Sequence, residues 1–370
     1  MCERPGYRER VQRLQGEMKE QDIAYVFLSI SPDLFYLTGY TSFVSERLHL
    51  LVVPVTGDPT LILPAFEMDT VTHLSDWITV VGWPETEGPI PKIQASLDHE
   101  GTESSIRIAI SDHTWSVFLL QLQTALPKAD FIPSSRILAP MRRVKDRYEL
   151  RVLGEAQQLA VEALTRLLER PFAGQTEKQV ADDLVGLCKR GGFDEVAGVL
   201  VGSGPNGAMP HLAPTERVIQ PGEPVVIDFG GIHEGYYSDC TRTVHVGPAS
   251  SRFTEVYDVV RRANEEALAA IRPGVPCHEV DRVARDVISE AGYGEYFTHR
   301  LGHGIGIQVH EEPYMVEGNE LRLSSGMVFT DEPGIYIPGA FGCRLEDVVA
   351  VTDDGGVRLT NLTRSLTVVD

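Results

Sequence analysis

Five side chains in the second half of this chain have the types and spacing to hold metal ions. The segment "VVIDFGGIHEGYYSDCTRTVHVG" reads as a hairpin. With His233 and Glu234 at its tip, Asp228 falls opposite Asp239. Directly opposed strand residues share a face, with side chains about 5 Å apart. "MVFTDEPGIYIPGAFGCRLEDVVAVT" reads as a second hairpin, turning through "PGAFG". Centred on Gly339, it sets Glu332 opposite Glu346. Carboxylates paired in this way repel, and burying them is costly unless a cation or a proton joins them. Two such pairs and one imidazole describe a cage in which four carboxylates balance two divalent ions.

The imidazole is expected from "HRLGHGIGIQVHEEP", His299 to Pro313. Glycine at every second position (Gly302, Gly304, Gly306) weakens a helix and denies a strand its packing. The expected reason is close approach of the backbone to the metals, with His303 as the single nitrogen ligand. His299 and His310 lie nearby in sequence, suited to proton transfer and substrate contacts. His211, in "NGAMPHLAPTERVI", is a further candidate that its local spacing does not single out. Oxygen and nitrogen donors with carboxylates dominant suit Mn²⁺, and also accommodate Co²⁺, Zn²⁺ or Fe²⁺.

These residues need two matching scaffolds, and the sequence holds a faint repeat. Residues 174–193, "GQTEKQVADDLVGLCKRGGF", align with 274–293, "GVPCHEVDRVARDVISEAGY". Each reads as a turn, a helix, then small residues and an aromatic. Thr176 with Gln179 is a capping-box start. One carboxylate hairpin follows each copy. Before the first copy, Arg147 to Leu168 reads as a long amphipathic helix, with Leu150, Leu153, Ala156, Leu159, Ala163, Leu164 and Leu167 on one stripe.

Residues 1–135 have a different texture. "RERVQRLQGEMKEQDI" has helical spacing. "AYVFLS", "HLLVVPV", "TLILP", "ITVVG" and "RIAIS" are short apolar runs split by Gly, Pro and Asp, which predicts buried strands in a mixed α/β sheet. "SSRILAPMRRVKD" reads as a connector. The predicted division is an N-terminal domain over 1–136 and a catalytic domain over 137–370.

Bulk properties bound the function. The chain has 370 residues, 42% of them hydrophobic, and a net charge of −20. With no Lys/Arg run, a nucleic-acid or anionic-membrane partner is not expected. The N-terminal segment lacks the apolar core of a secretory signal, and no apolar run approaches a membrane span. Cys2, Cys188, Cys240, Cys277 and Cys343 are scattered and form no CxxC. That pattern fits a reducing cytoplasm and argues against a disulfide framework or thiolate zinc.

Four blocks, "IDFGGIHEGYYSDCTRT", "HRLGHGIGIQVHEEP", "VFTDEPGIYIPG" and "CRLEDVV", resemble the metal-site blocks of the pita-bread metallopeptidases. That superfamily holds methionine aminopeptidase, aminopeptidase P, prolidase and creatinase. "SPDLFYLTGY" and "ERLHLLVVP" resemble the extra N-terminal domain of the aminopeptidase P, prolidase and creatinase branch. The resemblance implies an α/β N-terminal domain with a mixed sheet, then an α+β pita-bread catalytic domain with pseudo-twofold symmetry. It implies metal ligation by Asp228, Asp239, His303, Glu332 and Glu346, with Asp239 and Glu346 shared by both ions. It gives His211, His310 and Arg344 catalytic roles alongside Glu332, and His299 a role in substrate binding. Asp331 departs from the pattern, which usually has an apolar residue there.

The implied reaction is hydrolysis of the Xaa-Pro peptide bond by a hydroxide held between the two ions. Xaa-Pro dipeptides are the expected substrates. The alternatives are release of the first residue from longer Xaa-Pro peptides and, remotely, a non-catalytic pita-bread binding module. A cytoplasmic homodimer is expected. A dipeptidase must also recognise a carboxylate directly after proline, and Arg47 in "TSFVSERLHL" is the sequence candidate for that contact.

Overall fold

The computed structural model of the chain describes residues 6–97 and 105–370, and the chain divides into two compact units between Arg142 and Arg143. Cys2 lies outside the described residues. In the first unit, six strands form one sheet: β1 (Tyr25–Leu28), β2 (Leu50–Pro54), β3 (Thr60–Pro64), β4 (Thr79–Trp83), β5 (Ile106–Ile110) and β6 (Ala129–Pro133). Their order is β4-β3-β2-β1-β5-β6. The pairings of β1 with β2 and of β2 with β3 are antiparallel, and the rest are parallel, so the sheet is mixed. The five apolar runs form β1 to β5. β6 went unpredicted because it is an edge strand with no fully buried residue.

Among the described residues, five α-helices accompany this sheet: α1 (Tyr7–Glu20), α2 (Pro32–Thr38), α3 (Ile90–Ala95), α4 (Ser116–Ala125) and α5 (Ser135–Arg143). The expected connector is α5. Pro140 made it read as a break, yet Ile137, Leu138 and Met141 are buried along one side. Arg142 is buried with them, because it donates to Asp33 at 2.8 Å.

The second unit has two similar halves. The first contains α6 (Arg147–Leu167), α7 (Glu177–Gly191), β7 (Glu195–Ser203), β8 (Pro224–His233), β9 (Tyr236–Tyr237) and β10 (Cys240–Val246). The second contains α8 (Ser251–Ala270), α9 (Cys277–Glu290), β11 (Gly302–Gly304), β12 (Glu311–Met315), β13 (Val328–Asp331), β14 (Gly334–Ile337), β15 (Phe341–Arg344), β16 (Asp347–Thr352) and β17 (Gly355–Arg358). The last strand, β18 (Thr367–Val369), crosses back to pair with β10. The two main sheets run β18-β10-β8-β7, with β9 beside β8, and β12-β11-β13-β16-β17. Each helix pair packs on its own sheet around a separate apolar core.

Both helix starts are as read. Asp146 with Glu149 and Thr176 with Gln179 form complete capping boxes. The α6 stripe differs in detail. Leu150 and Leu159 are only partly buried, whereas Val152, Ala160 and Val161 are in the core.

Main-chain hydrogen bonds confirm the repeat. Gly174 N donates to Ile219 O at 3.0 Å and Gly274 N to Leu323 O at 2.8 Å. Glu177 N donates to Arg217 O at 3.1 Å, and Cys277 N to Leu321 O at 2.8 Å. The two halves therefore start with the same turn, docked through the same kind of isolated antiparallel bridge.

The glycines around His303 serve the strands beside them. β11 lies between β12 and β13. A Cβ on Gly302 would sit 1.8 Å from Thr330 O, and one on Gly304 would sit 2.3 Å from Glu312 O. A Cβ on Gly306 would meet Glu311 Oε1 at 2.5 Å. Close approach is the correct reason, but the backbone and side chains being approached belong to neighbouring strands. Gly302→Ala should therefore destabilise the chain by about 1–3 kcal/mol, the usual cost of overpacking. Urea denaturation of metal-free protein measures this; an unchanged midpoint would mean that β13 yields without cost.

Candidate active site and metal centre

The first hairpin turns one residue later than its sequence suggested. Glu234 (φ 47°) and Gly235 (φ 81°) form the two-residue turn, with positive φ at both positions as a type I′ turn requires. His233 thus pairs with Tyr236, and Asp228 lies opposite Thr241, not Asp239. The partner has moved by two residues, and side chains alternate with a period of two. Asp239 therefore stays on the face of Asp228, diagonally placed. Asp239 lies between β9 and β10, where the strand is interrupted. The buried Gln157 clamps it there. With its amide nitrogen towards Thr360, that nitrogen donates to Asp239 O and the oxygen accepts from Asp239 N, both at 3.1 Å.

The second hairpin has the register read from its sequence. Gly334 pairs with Arg344 and Asp331 with Asp347, which brackets Glu332 and Glu346 in the same frame. The halves meet at Thr241. Glu346 N donates to Thr241 O at 3.1 Å, and Thr241 Oγ1 donates to Glu346 Oε2 at 2.6 Å.

One cleft of about 820 Å³ is lined by Asp228, Asp239, His303, Glu332 and Glu346, and by His211, His299, His310 and Arg344. The tenth candidate, Arg47, is not among these residues and belongs to the first unit. There it pairs with Glu46 at 2.6 Å and Glu85 at 2.7 Å.

Asp239, His303 and Glu346 are buried and offer ligand atoms that all lie within 4.8 Å of one another. His303 Nε2 is also 3.3 Å from Glu332 Oε1. Thr330 Oγ1 sets both groups, accepting from His303 N at 3.0 Å and donating to Glu332 Oε1 at 3.0 Å. Burial pushes Asp239 well above the usual carboxylate range, and its neighbours Asp228 and Glu332 add to the shift. Burial does the same to Glu346, helped by Asp239 and Glu332. Glu332 is pushed up to about 7 by burial, against the pull of Arg344 and with the push of Asp228. Burial and then His310 lower His303 to about 3, leaving a neutral imidazole, the form that ligates. Crowded, buried carboxylates beside a neutral imidazole fit divalent cations.

Arg344 connects this floor to the rest of the cleft. Its guanidinium donates to Asp228 Oδ2, to Thr241 Oγ1 at 3.1 Å and to Tyr336 OH at 2.7 Å. The Tyr336 hydroxyl also lies 2.9 Å from His299 Nε2. Sequence reasoning missed Tyr336 and Thr241, since a strand Tyr or Thr carries no signal without the register. It also missed Arg300, which lines the cleft with its guanidinium 4.3 Å from the Tyr314 ring centroid. Asp331 points elsewhere. It is fully buried opposite Asp347, and neither of its carboxylate oxygens has a hydrogen-bond partner among the described residues.

Comparison with known proteins agrees with this geometry. Residues 151–353 match the model of metallopeptidase family M24, and residues 10–144 match the creatinase/prolidase N-terminal domain. A probable dipeptidase PepE of Mycobacterium tuberculosis is 38% identical over 367 residues, covering 98% of this chain and 96% of that one. An Xaa-Pro dipeptidase of Lactobacillus helveticus is 37% identical, covering 94% and 95%. The crystal structure of a prolidase from Thermococcus sibiricus superposes with a TM-score of 0.93 at 36% identity, over 99% of this chain and 100% of that one. The fold is therefore a creatinase/prolidase-type N-terminal domain followed by a pita-bread domain.

The raised carboxylates predict how metal-free protein responds to pH. Glu332 moves from an ordinary value of 4.5 to about 7. Between those values the folded chain holds more protons than the unfolded one, so stability falls as pH rises through that window. Saturating Mn²⁺ competes with those protons and should remove the slope. Melting temperatures of chelator-treated and Mn²⁺-loaded protein from pH 4.5 to 7.5 test this. Parallel slopes in the two samples would contradict it.

Proposed function

Because the chain belongs to metallopeptidase family M24, with all five carboxylate and imidazole donors in one cleft, we propose that it hydrolyses Xaa-Pro dipeptides with the help of two divalent ions. The carrying observation is the buried Asp239–His303–Glu346 cluster on the cleft floor. Relatives named Xaa-Pro dipeptidase or prolidase, similar over nearly the whole chain, support the substrate class. A cleft of about 820 Å³ is of the size that encloses a small ligand.

Asp228, Asp239, His303, Glu332 and Glu346 would hold the ions, and Mn²⁺ best matches their donors. Bound there, divalent ions polarise the scissile carbonyl and make hydroxide available near neutral pH. The protein's own groups do the rest. Glu332 accepts the attacking water's proton and returns it to the nitrogen. An Xaa-Pro bond releases a secondary amine with no N–H to grip, so protonation of that nitrogen matters. His211, exposed at the cleft, steadies it. His310, its ring centroid 4.0 Å from that of His303, is assigned the developing oxyanion. Arg344 holds Asp228 in place. His299 is lowered to about 4, mainly by burial. It therefore contacts substrate as a neutral ring.

The experiment is release of free proline by the Mn²⁺-loaded chain, from an Xaa-Pro dipeptide and from a longer Xaa-Pro peptide side by side. Turnover of the dipeptide alone is expected. Glu346→Ala should abolish activity and lower metal content. His211→Ala and His310→Ala should cut turnover roughly 10²–10⁴-fold with metal content intact. Two retained metals and normal turnover in Glu346→Ala would end the dinuclear reading.

Two arginines compete to receive the dipeptide's carboxylate. Arg47 is already engaged by two glutamates. Arg300 lines the cleft, and its guanidinium has no hydrogen-bond or ion-pair partner among the described residues; it is the receptor we favour. Removing a charge-assisted contact costs about 1.5–3 kcal/mol. Arg300→Ala should therefore raise KM for an Xaa-Pro dipeptide roughly tenfold or more and leave the corresponding amide unchanged. The same selective change in Arg47→Ala instead would transfer the role to Arg47.

A further inference from the structure

One buried carboxylate outside the metal centre collects an unusual number of donors. Glu177, the first residue of α7, is fully buried. Its Oε1 accepts from Ser203 N and Ser203 Oγ, both at 2.8 Å. Its Oε2 accepts from Thr215 N at 3.1 Å and Thr215 Oγ1 at 2.6 Å. Asn206 Nδ2 lies 3.1 and 3.0 Å from the two oxygens. Ser203 ends β7, and Thr215 lies at the far end of the loop that leaves it. Between them the chain passes Met209, Pro210, His211 and Leu212 along the cleft wall.

A single side chain thus clamps both feet of the loop that carries His211. The clamp has no need to exist for the fold alone. In the second half, Cys277 occupies the equivalent place and makes the equivalent main-chain bond. There Asn319 closes the corresponding segment locally, donating to Tyr314 O at 2.7 Å and accepting from Leu321 N at 3.1 Å. The carboxylate clamp is present in the first half only; the second-half segment presents His310 without a carboxylate at the Cys277 position.

Conformational entropy is what the clamp opposes. His211 makes no hydrogen bond that would hold its ring among the described residues. Its position must therefore come from the backbone of its loop. Tying the two ends to one rigid acceptor removes most of the freedom of the intervening residues. Hydrogen bonds to a charged acceptor are about twice as strong as neutral ones. The loop is also seated from below, since Gly207 packs against Gly342 so closely that a Cβ on Gly342 would lie 1.8 Å from Gly207 O. β15, which carries Gly342, ends at Arg344.

We propose that Glu177 is a positioning residue for catalysis, clamping the 203–215 loop so that His211 is held over the cleft. This rests on the role assigned to His211 above. Three Mn²⁺-loaded full-length variants test it: Glu177→Gln, His211→Ala and their combination. Glu177→Gln should lower kcat for an Xaa-Pro dipeptide about tenfold, with KM and metal content close to those of the parent. In the His211→Ala background it should cost nothing further. Amide exchange in residues 204–214 should accelerate about tenfold or more, with the 305–319 segment unchanged. Multiplying losses in the double variant, or an unchanged loop exchange, overturns the proposal. So does faster exchange with undiminished kcat. If Glu177→Gln does not fold, Thr215→Val removes one donor and is run through the same cycle with the same criteria. A parent protein that releases no proline refutes the proposed reaction instead, and the exchange measurement still decides whether the clamp orders the loop.

Discussion

Negative charge packed into a small volume is the constraint around which the catalytic half is arranged. Asp228, Asp239, Glu332 and Glu346 line the cleft, and Asp331 and Asp347 lie buried behind them. The protein answers part of this charge with arginine. Arg344 takes Asp228, while Arg242 and Arg358 take Asp347 at 2.6 and 2.8 Å. Asp239, Glu332 and Glu346 have no lysine or arginine partner among the described ion pairs. Thr241 and Thr330 donate to Glu346 and Glu332, and His303 lies against Glu332 and Asp239; these contacts orient the carboxylates without neutralising them. That asymmetry separates a site built for cations from an ordinary buried ion-pair network.

The arginines also brace the backbone. Arg242 donates to Glu346 O at 2.7 Å as well as to Asp347, and Arg358 donates to Asn264 Oδ1 at 2.8 Å. Asn264 in turn donates to Asp331 O at 3.0 Å, one residue before Glu332. A continuous buried chain of hydrogen bonds and ion pairs thus runs from one cleft glutamate's strand to the other's. Asp331, the departure from the family pattern, sits beside this chain with its oxygens unsatisfied. Burial, and then Asp347, raise it well above the usual carboxylate range.

Much of this was legible in the sequence, and what was lost has identifiable causes. Both hairpins were readable because carboxylates in strands with apolar neighbours are rare enough to need a reason. The second register was fixed by the Gly339 turn. The first slipped because "HEGY" offers two adjacent tips, and only positive φ at Glu234 and Gly235 decides between them. The slip did no damage to the site, since an even shift keeps every side chain on its face. The glycines around His303 were noticed but explained by the wrong neighbour, because close approach is visible in a sequence while its object is not. Tyr336, Arg300 and Glu177 were not found at all. Their significance depends on what lies across a cleft or at the far end of a loop, and no local periodicity encodes that.

The two-half construction also has a consequence in time. Asp228 and Asp239 come from the first half, and Glu346 follows Asp228 by about 120 residues. At roughly 5–20 residues per second, a ribosome needs on the order of 6–24 s to add that stretch. During the interval the first hairpin's two acids have neither the Arg344 guanidinium nor the second half's donors. The complete cage, and with it selectivity among cations, can arise only once the second half has folded against the first. Ion capture is thus confined to the end of synthesis or later, and the metal that fills the site reflects the ion pool met by a finished chain.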